Sequence, residues 1–185
     1  MNRVALAAVT AGLLTARGLV LAQLPPTAST PVPGTVLRRA TLLVHDIEKS
    51  VAFYRDAIGL SVWLENKGKS GGDLPTGDPV GTPSHFVIMK GRDPWLGMVG
   101  LLQYGERKTA PKKDTIGPGD AVLMMETSDL EGIHERLKKA GYRIVREPRT
   151  SEITFGDGSR GLATFLFCMD PDGHVLEINQ RSAPK

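Results

Sequence analysis

Hydrophobic and polar residues follow a pattern that this chain uses twice. An apolar, β-branched run starting at Arg39 is followed by Asp46 and then by apolar residues spaced four, three and four apart. A second apolar run starting at Ala121 leads to Asp129 and another helical spacing, and each predicted helix ends at a glycine. Strand, acidic cap, amphipathic helix and terminal glycine therefore occur in the same order in both halves.

Three strand-like segments follow each predicted helix. They lie at 60–64, 85–89 and 98–104 in the first half and at 142–147, 161–169 and 174–180 in the second. The stretch 65–84, rich in Gly, Pro and Lys, predicts a loop between strands, and 105–119 predicts the linker between the halves. Each half therefore predicts a β-α-β-β-β module, the first over about 37–104 and the second over about 120–181.

A four-stranded sheet with a single helix leaves one sheet face bare, and that face must be buried or must line a cavity. Two such modules predict an α+β domain whose curved sheets surround a central cleft. Because ligand sites often form where modules meet, the cleft is the predicted place for a small molecule.

The segment 170–178 reads Asp-Pro-Asp-Gly-His-Val-Leu-Glu-Ile. Pro171 sets φ for a tight turn, and Gly173 supplies a position where φ can be positive. In the strand that follows, alternation places Glu177 on the face opposite Leu176. Glu177 is therefore a candidate ligand-binding carboxylate, provided that its face lines a cavity.

The N-terminus predicts export to the periplasm or out of the cell. Residues 1–22 have a short basic start, an apolar run and a small-residue cleavage site, as a signal peptide does. The alternative interpretation is an uncleaved N-terminal anchor. Residues 23–36 contain four prolines and no charge, and they predict a flexible linker before the domain at 37–181.

The charge balance argues against nucleic acid or an anionic membrane as a partner. Lysine and arginine number 23 and aspartate and glutamate 20, and Arg3 and Arg17 fall in the signal segment. Removing that segment leaves 21 basic and 20 acidic side chains, a net charge of +1. The single cysteine, Cys168, lies in a run of strand formers and is predicted to be a small buried hydrophobe.

The duplicated pattern resembles the vicinal oxygen chelate superfamily, which includes glyoxalase I, extradiol dioxygenases and bleomycin-resistance proteins. The motifs that carry the resemblance are Leu42–Ser50 with Phe53-Tyr54 and Gly59-Leu60, Asp129-Leu130 with Arg136-Leu137 and Gly141, and Asp170–Glu177. They extend over essentially the whole of 37–181. The resemblance implies the paired-module fold and leaves the chemistry open, because one fold here hosts several activities. Since many members dimerise, it also implies a homodimer.

The resemblance implies four positions for a divalent metal, on the first and last strands of each half. Glu177 matches the last of them. The other three are Arg39, which carries a cation, Gln103, which offers a weak oxygen ligand, and Val122, which has no donor atom. Lewis-acid chemistry requires two or three firm protein ligands, so the sequence predicts ligand binding without the usual metal.

Arg39, Gln103 and Glu177 form the predicted ligand-binding group. In one interpretation Arg39 binds an anionic group, Gln103 orients it and Glu177 accepts a hydrogen bond or a proton. In the other, Arg39 and Glu177 form a structural salt bridge. Three strand aromatics complete the candidate set as an aromatic wall, with core packing as the alternative: Trp63, Phe165 and Phe167. The sequence leaves the catalytic residues unknown. It predicts that His134, inside the second helix, is solvated.

Three hypotheses follow for the function. The first is an exported glyoxalase- or bleomycin-resistance-like protein that binds a small molecule in the cleft. The second is a metal-dependent lyase or dioxygenase of the same superfamily. The third is a structural homologue whose cleft is sealed.

Overall fold

The computed structural model describes residues 34–106, 115–154 and 158–182. The predicted signal peptide at 1–22 and nearly all of the predicted linker at 23–36 lie outside this part of the chain. Val36 begins the compact unit that contains both modules. Of the helices in the described ranges, none combines the length and the apolar character that crossing a membrane requires.

The two halves fold into two four-stranded sheets, as predicted. The elements of the first half are β1 (Arg39–Leu43), α1 (Ile47–Ala52), a π-helical segment (Phe53–Ile58), β2 (Ser61–Lys69), β3 (Pro83–Lys90) and β4 (Met98–Tyr104). Those of the second are β5 (Val122–Glu126), α2 (Leu130–Ala140), β6 (Ile144–Thr154), β7 (Arg160–Met169) and β8 (Val175–Arg181). The strand orders are β1-β4-β3-β2 and β5-β8-β7-β6, so the modules share one topology. In each sheet the first and last strands of the module run parallel, and the other neighbours are antiparallel.

The predicted helix boundaries are confirmed by their caps. The Asp46 carboxylate accepts a hydrogen bond from the backbone N–H of Lys49 at 3.2 Å, and the helical stretch ends at Gly59 with φ of 94°. In the second module Asp129 and Gly141 have the same roles, and φ of Gly141 is 70°. Both glycines adopt the left-handed conformation that a side chain with a Cβ disfavours.

The first helix differs from the prediction in its second half. It continues from α1 into the π-helical segment, which holds Phe53, Tyr54, Ala57 and Ile58, all buried. A π-helical turn is wider than an α-helical one. All four of these side chains belong to the hydrophobic core.

Two strands are longer than the hydrophobic pattern predicts. The stretch 65–84 is not all loop, because β2 continues to Lys69 and pairs with β3 up to Pro83. Every residue of β2 is exposed, so backbone pairing extends this strand without the alternation that would reveal it. In the same way β6 continues to Thr154 rather than ending near 147.

The helix-bearing faces of the two sheets share a single core. Buried residues of both halves belong to one hydrophobic cluster, among them Leu42 and Leu101 from the first sheet and Leu176 and Ile178 from the second. The π-helical segment contacts α2. Each sheet therefore turns its opposite face away from this core.

Polar contacts from the turn before β8 join the two modules. Asp172 accepts a hydrogen bond from Ser50 Oγ at 3.2 Å, and Asp170 accepts one from Tyr54 Oη at 3.1 Å. The side chains of both aspartates are almost completely buried. The turn with the sequence Asp-Pro-Asp-Gly-His therefore links the two modules through buried hydrogen bonds.

Candidate functional site

In each sheet, alternate residues point away from the helices and form what we call the open face. On β1, Leu42 packs in the core while Thr41 and Leu43 on either side of it are exposed. On β5, Met124 is exposed, and it pairs in register with Glu177 of β8. The open faces therefore carry the side chains that can meet a ligand.

A cavity of about 270 Å³ lies on the open face of the second sheet. Its lining combines two cations, one carboxylate, one hydroxyl and two aromatic rings: Arg146, Arg149, Ser151, Phe165, Phe167 and Glu177. All six come from the second module. We call this cavity the arginine pocket.

The strand register brings these residues together. Phe167 of β7 pairs with Glu177 on one side and with Arg146 on the other, and Phe165 pairs with Arg149. The Arg146 guanidinium lies over the Phe167 ring, 5.6 Å from its centroid. The two rings therefore form a floor between the arginines and the glutamate.

Irregular pairing in β6 places both arginines on the same face. Arg146 and Arg149 are three residues apart, and strict alternation would turn them to opposite faces. The register of β6 shifts between Ile144 and Arg146 and again between Arg146 and Arg149. Each shift is a bulge, and Pro148 within the second one is the signal in the sequence that marks it.

The charges of the arginine pocket are not neutralised within it. In the residues that the structure describes, neither Arg146 nor Arg149 forms an ion pair or donates a hydrogen bond to a side chain. Glu177 is half-buried, and one of its oxygens accepts a hydrogen bond from Asn179 Nδ2 at 3.1 Å. The pocket thus offers two free cations to a ligand.

Asn179 contributes a buried acceptor beside the pocket. This side chain is only 8% exposed, and it pairs in register with Phe165. Its Oδ1 atom is buried and has no hydrogen-bond partner in the described ranges. A buried polar atom without a partner costs about 1–3 kcal/mol.

The structure therefore assembles Phe165, Phe167 and Glu177 from the predicted candidate set. Three polar members of the pocket region were not predicted: Arg146, Arg149 and Asn179. Alternation does place Asn179 on the face of Glu177, so its position was readable from the sequence. The arginines were hidden because their spacing fits a strand only when a bulge intervenes.

Gln103 lies on the opposite face of its sheet from Arg39. Its Oε1 accepts a hydrogen bond from the backbone N–H of Ile47 at 2.9 Å, so it caps the N-terminus of α1. Gln180 does the same for the N–H of Leu130 in the second module, also at 2.9 Å. Gln103 and Leu101 are two residues apart on β4, so both side chains point to the core side of the sheet.

Arg39 lies on the open face of the first sheet, across Gly100. Its Nε donates to Thr41 Oγ1 at 3.0 Å, and its guanidinium lies 4.9 Å from the centroid of the Phe86 ring. A Cβ at position 100 would come within 3.1 Å of Arg39 Cδ, so the glycine leaves room for this side chain. Arg39 and Glu177 belong to different sheets, and no ion pair joins them in the described structure.

Trp63 lies apart from the two phenylalanines. It occupies the bulge of β2, is 42% exposed, and has the Arg38 guanidinium 5.7 Å from its ring centroid. The same guanidinium stacks 3.3 Å from the centroid of Trp95. The aromatic wall predicted from the sequence is therefore divided between the two sheets.

The donor atoms do not fit a divalent metal at the positions that the resemblance implies. Arg39 is a cation, Gln103 is engaged at a helix N-terminus, and Val122 has no donor. The open-face residues of β4 beside Arg39 are its register partner Met98 and Gly100, and neither has an oxygen or nitrogen ligand in its side chain. Glu177 remains as a single carboxylate ligand, fewer than a catalytic metal site requires.

A second cavity, of about 240 Å³, lies between α1 and the first sheet. Its polar lining includes Glu48, Arg55 and the pair His85–Glu65, in which His85 Nε2 lies 2.7 Å from Glu65 Oε1. Its floor is apolar and includes Val87. Both cavities are thus lined by one module each.

Two further predictions have clear outcomes. Cys168 is fully buried as predicted, and burial raises the pKa of its thiol to about 12, which disfavours a role as a nucleophile at neutral pH. The prediction of a solvated His134 is wrong. This side chain is buried on α2, where its Nε2 lies 2.6 Å from Glu147 Oε2, because β6 covers that side of the helix.

Known proteins of several organisms are similar to this chain in sequence. One is a probable lactoylglutathione lyase of a Synechocystis species, which is 24% identical over 149 residues that cover 80% of this chain and 98% of the relative. Another is the glutathione transferase FosA of Serratia marcescens, 27% identical over 144 residues that cover 77% of this chain and 79% of the relative.

Solved structures share the fold. A glyoxalase family protein from Bacillus cereus matches with a TM-score of 0.60 at 15% identity, covering 83% of this chain and all of that one. The trypanothione-dependent glyoxalase I of Leishmania major matches with a TM-score of 0.53 at 18% identity, covering 79% and 86%. The sequence profile of one family extends over residues 36–178, which include both modules. The chain therefore belongs to the Glyoxalase/Bleomycin resistance protein/Dioxygenase superfamily.

Proposed function

We propose that this protein is an exported small-molecule-binding member of its superfamily, and that it binds its ligand in the arginine pocket without a divalent metal. One observation carries the proposal. Within the described residues, the pocket holds two guanidinium groups that form no ion pair. That of Arg146 lies over the Phe167 ring, and the half-buried Glu177 lies on the other side. Such a combination of apolar surface and a few polar groups is typical of ligand sites.

The donor chemistry supports binding over metal catalysis. A site for Lewis-acid catalysis needs several carboxylate or imidazole ligands. Of the positions considered for a metal on the open faces, only Glu177 is a carboxylate, and the others are Arg39, Gly100 and Val122. The two arginines beside the pocket would also repel a divalent cation. An anionic or neutral organic ligand meets no such repulsion.

The alternative is a metal-dependent lyase or dioxygenase. Glu177 and the name of the lyase-type relative favour it. Metal analysis of the purified protein separates the two hypotheses. Stoichiometric zinc, nickel, manganese or iron that is lost in Glu177→Ala would overturn the metal-free proposal and favour the metal-dependent alternative.

Ligand binding is tested by thermal unfolding and calorimetry with a panel of small neutral, anionic and cationic aromatic compounds in the presence of EDTA. We expect at least one compound to raise the melting temperature. Phe167→Ala should weaken its binding about 10-fold or more, because the pocket loses half of its floor. Phe86→Ala is the matched control, since Phe86 also lies beneath an arginine but on the other sheet.

If no compound in this panel binds with or without added metal, the binding proposal fails and the sealed homologue becomes the better description. Export is tested separately, by fractionating cells that express the full chain. Recovery of a shortened protein from the periplasm or the medium would support it, and a full-length protein in the cytosol would contradict it.

A further inference from the structure

We infer that the ligand of the arginine pocket is a small ring compound with an anionic group at one end and a hydroxyl or amino donor at the other. This inference rests on the proposed binding function and specifies the class of ligand. Three features of the pocket carry it: the arginine pair, the Glu177 carboxylate on the other side of the two rings, and the size of the cavity.

The arginine pair selects the anionic group. Arg146 and Arg149 line the same cavity, and neither is neutralised by a carboxylate in the described residues. Guanidinium groups bind carboxylate, phosphate or phosphonate through paired N–H donors. Ser151 also lines this side and offers a hydroxyl donor.

The Asn179 amide holds the carboxylate at the other end of the pocket. An ionised carboxylate can only accept hydrogen bonds, so the amide must present its Nδ2 to Glu177, as it does at 3.1 Å. A flipped amide would place its oxygen against the carboxylate oxygen and lose this bond. The orientation is thereby fixed, and Oδ1 remains a buried acceptor without a partner in the described part of the chain.

Glu177 sets the preference of the other end for a hydrogen-bond donor. Its carboxylate lines the pocket and accepts hydrogen bonds, so this end attracts a hydroxyl or an ammonium group and repels an anion. The opposite end, with two arginines, attracts an anion and repels a cation. A ligand with one group of each kind therefore has a single favoured orientation over Phe165 and Phe167.

The volume of the pocket suits a ligand with a single ring. A cavity of about 270 Å³ is slightly below the usual lower bound of about 300 Å³ for drug-sized ligands. The two phenylalanine rings favour a flat ligand body, which can stack on them.

The experiment compares the affinities of phenol, benzoate, 3-hydroxybenzoate and 4-hydroxybenzoate by calorimetry in EDTA. We expect at least one hydroxybenzoate to bind about 10-fold more tightly than benzoate and than phenol. Arg149→Gln should weaken the binding of the carboxylates about 10-fold while changing phenol less than about 3-fold. Arg160→Gln is the matched control, because Arg160 belongs to the same sheet but does not line the pocket.

Glu177→Gln tests the donor end, because an amide can rotate to donate as well as accept. It should reduce the advantage of hydroxybenzoate over benzoate, while the circular dichroism spectrum reports whether the variant is folded. Phenol that binds as tightly as the hydroxybenzoates, or Arg149→Gln that affects all four compounds equally, would overturn the ligand class and leave the binding function intact. Failure of all four compounds while another member of the wider panel binds has the same meaning, whereas failure of the whole panel removes both proposals.

Discussion

Asp172 Oδ1 accepts a hydrogen bond from the backbone N–H of His45 at 2.9 Å and lies 2.6 Å from Nδ1 of the same histidine. His45 belongs to the first module and Asp172 to the turn before the last strand of the second. The other oxygen of this carboxylate accepts from Ser50. One side chain from the turn thus satisfies three groups of the neighbouring module.

Asp172→Ala should lower the free energy of unfolding by about 3 kcal/mol, because it leaves buried donors of the first module without an acceptor. Urea unfolding followed by circular dichroism measures this loss. Asp73→Ala is the control, since Asp73 is an exposed loop carboxylate and its removal should cost less than about 0.5 kcal/mol. Equal effects of the two substitutions would show that Asp172 does not stabilise the contact between the modules.

Tyr54→Phe should cost about 1–2 kcal/mol through the loss of one hydrogen bond to the buried Asp170. Burial and the neighbouring Asp170 raise the pKa of Tyr54 well above its ordinary value, so its hydroxyl stays protonated and donates. Tyr142→Phe provides the comparison. Tyr142 also packs edge-on against Phe53, and its hydroxyl makes no hydrogen bond within the described residues. A loss of the same size at both positions would contradict the assigned role of Asp170.

Gln103→Ala should destabilise the protein by about 1–2 kcal/mol without altering ligand affinity, because the side chain caps α1 on the core-facing side of its sheet. Gln180→Ala should have a loss of similar size for the same reason in the second module. Chemical unfolding and calorimetry on the same samples check both quantities. An affinity that falls in Gln103→Ala while stability holds would restore the role in ligand binding predicted from the sequence.

Stability should fall in alkaline solution through Cys168. Its thiol pKa rises from 9.0 to about 12 on folding, so the unfolded chain releases this proton first. The stability that the buried thiol contributes is fully present below about pH 9 and is lost as the pH rises toward 12. The loss from this group should be about 1.4 kcal/mol between pH 8 and pH 10.

Cys168→Ala tests this directly, because it removes the thiol and should flatten the decline over that interval. Urea unfolding at half-unit steps of pH measures the slope. The absolute stability of the variant will also change, since a buried side chain becomes smaller, so the slope is the quantity to compare. An unchanged slope would assign the alkaline decline to other groups.

The fold was readable from the sequence where caps and alternation agree. Asp46 and Gly59 bound the first helix as predicted, and the repeated order of elements revealed both modules. The extension of β2 to Lys69 could not be read, because backbone pairing holds an exposed strand that has no hydrophobic pattern.

The site was readable only in part. Glu177 lies on the face that alternation predicts, with Phe167 beside it. Gln103 was predicted to bind the ligand. It lies two residues from the core residue Leu101 on the same strand, so both side chains point to the core side of the sheet. Arg146 and Arg149 were missed because bulges break the two-residue period on which such predictions rest.

The irregular pairing of β6 has a further consequence, for the behaviour of the protein at high concentration. β2 and β6 are outer strands of their sheets, and each is interrupted, at Trp63 and at Pro148. A sheet edge that a bulge interrupts pairs poorly with a regular strand of another molecule. The other outer strands, β1 and β5, are only five residues long. The same distortion that turns two arginines toward a ligand therefore also protects the fold against growth into edge-to-edge aggregates.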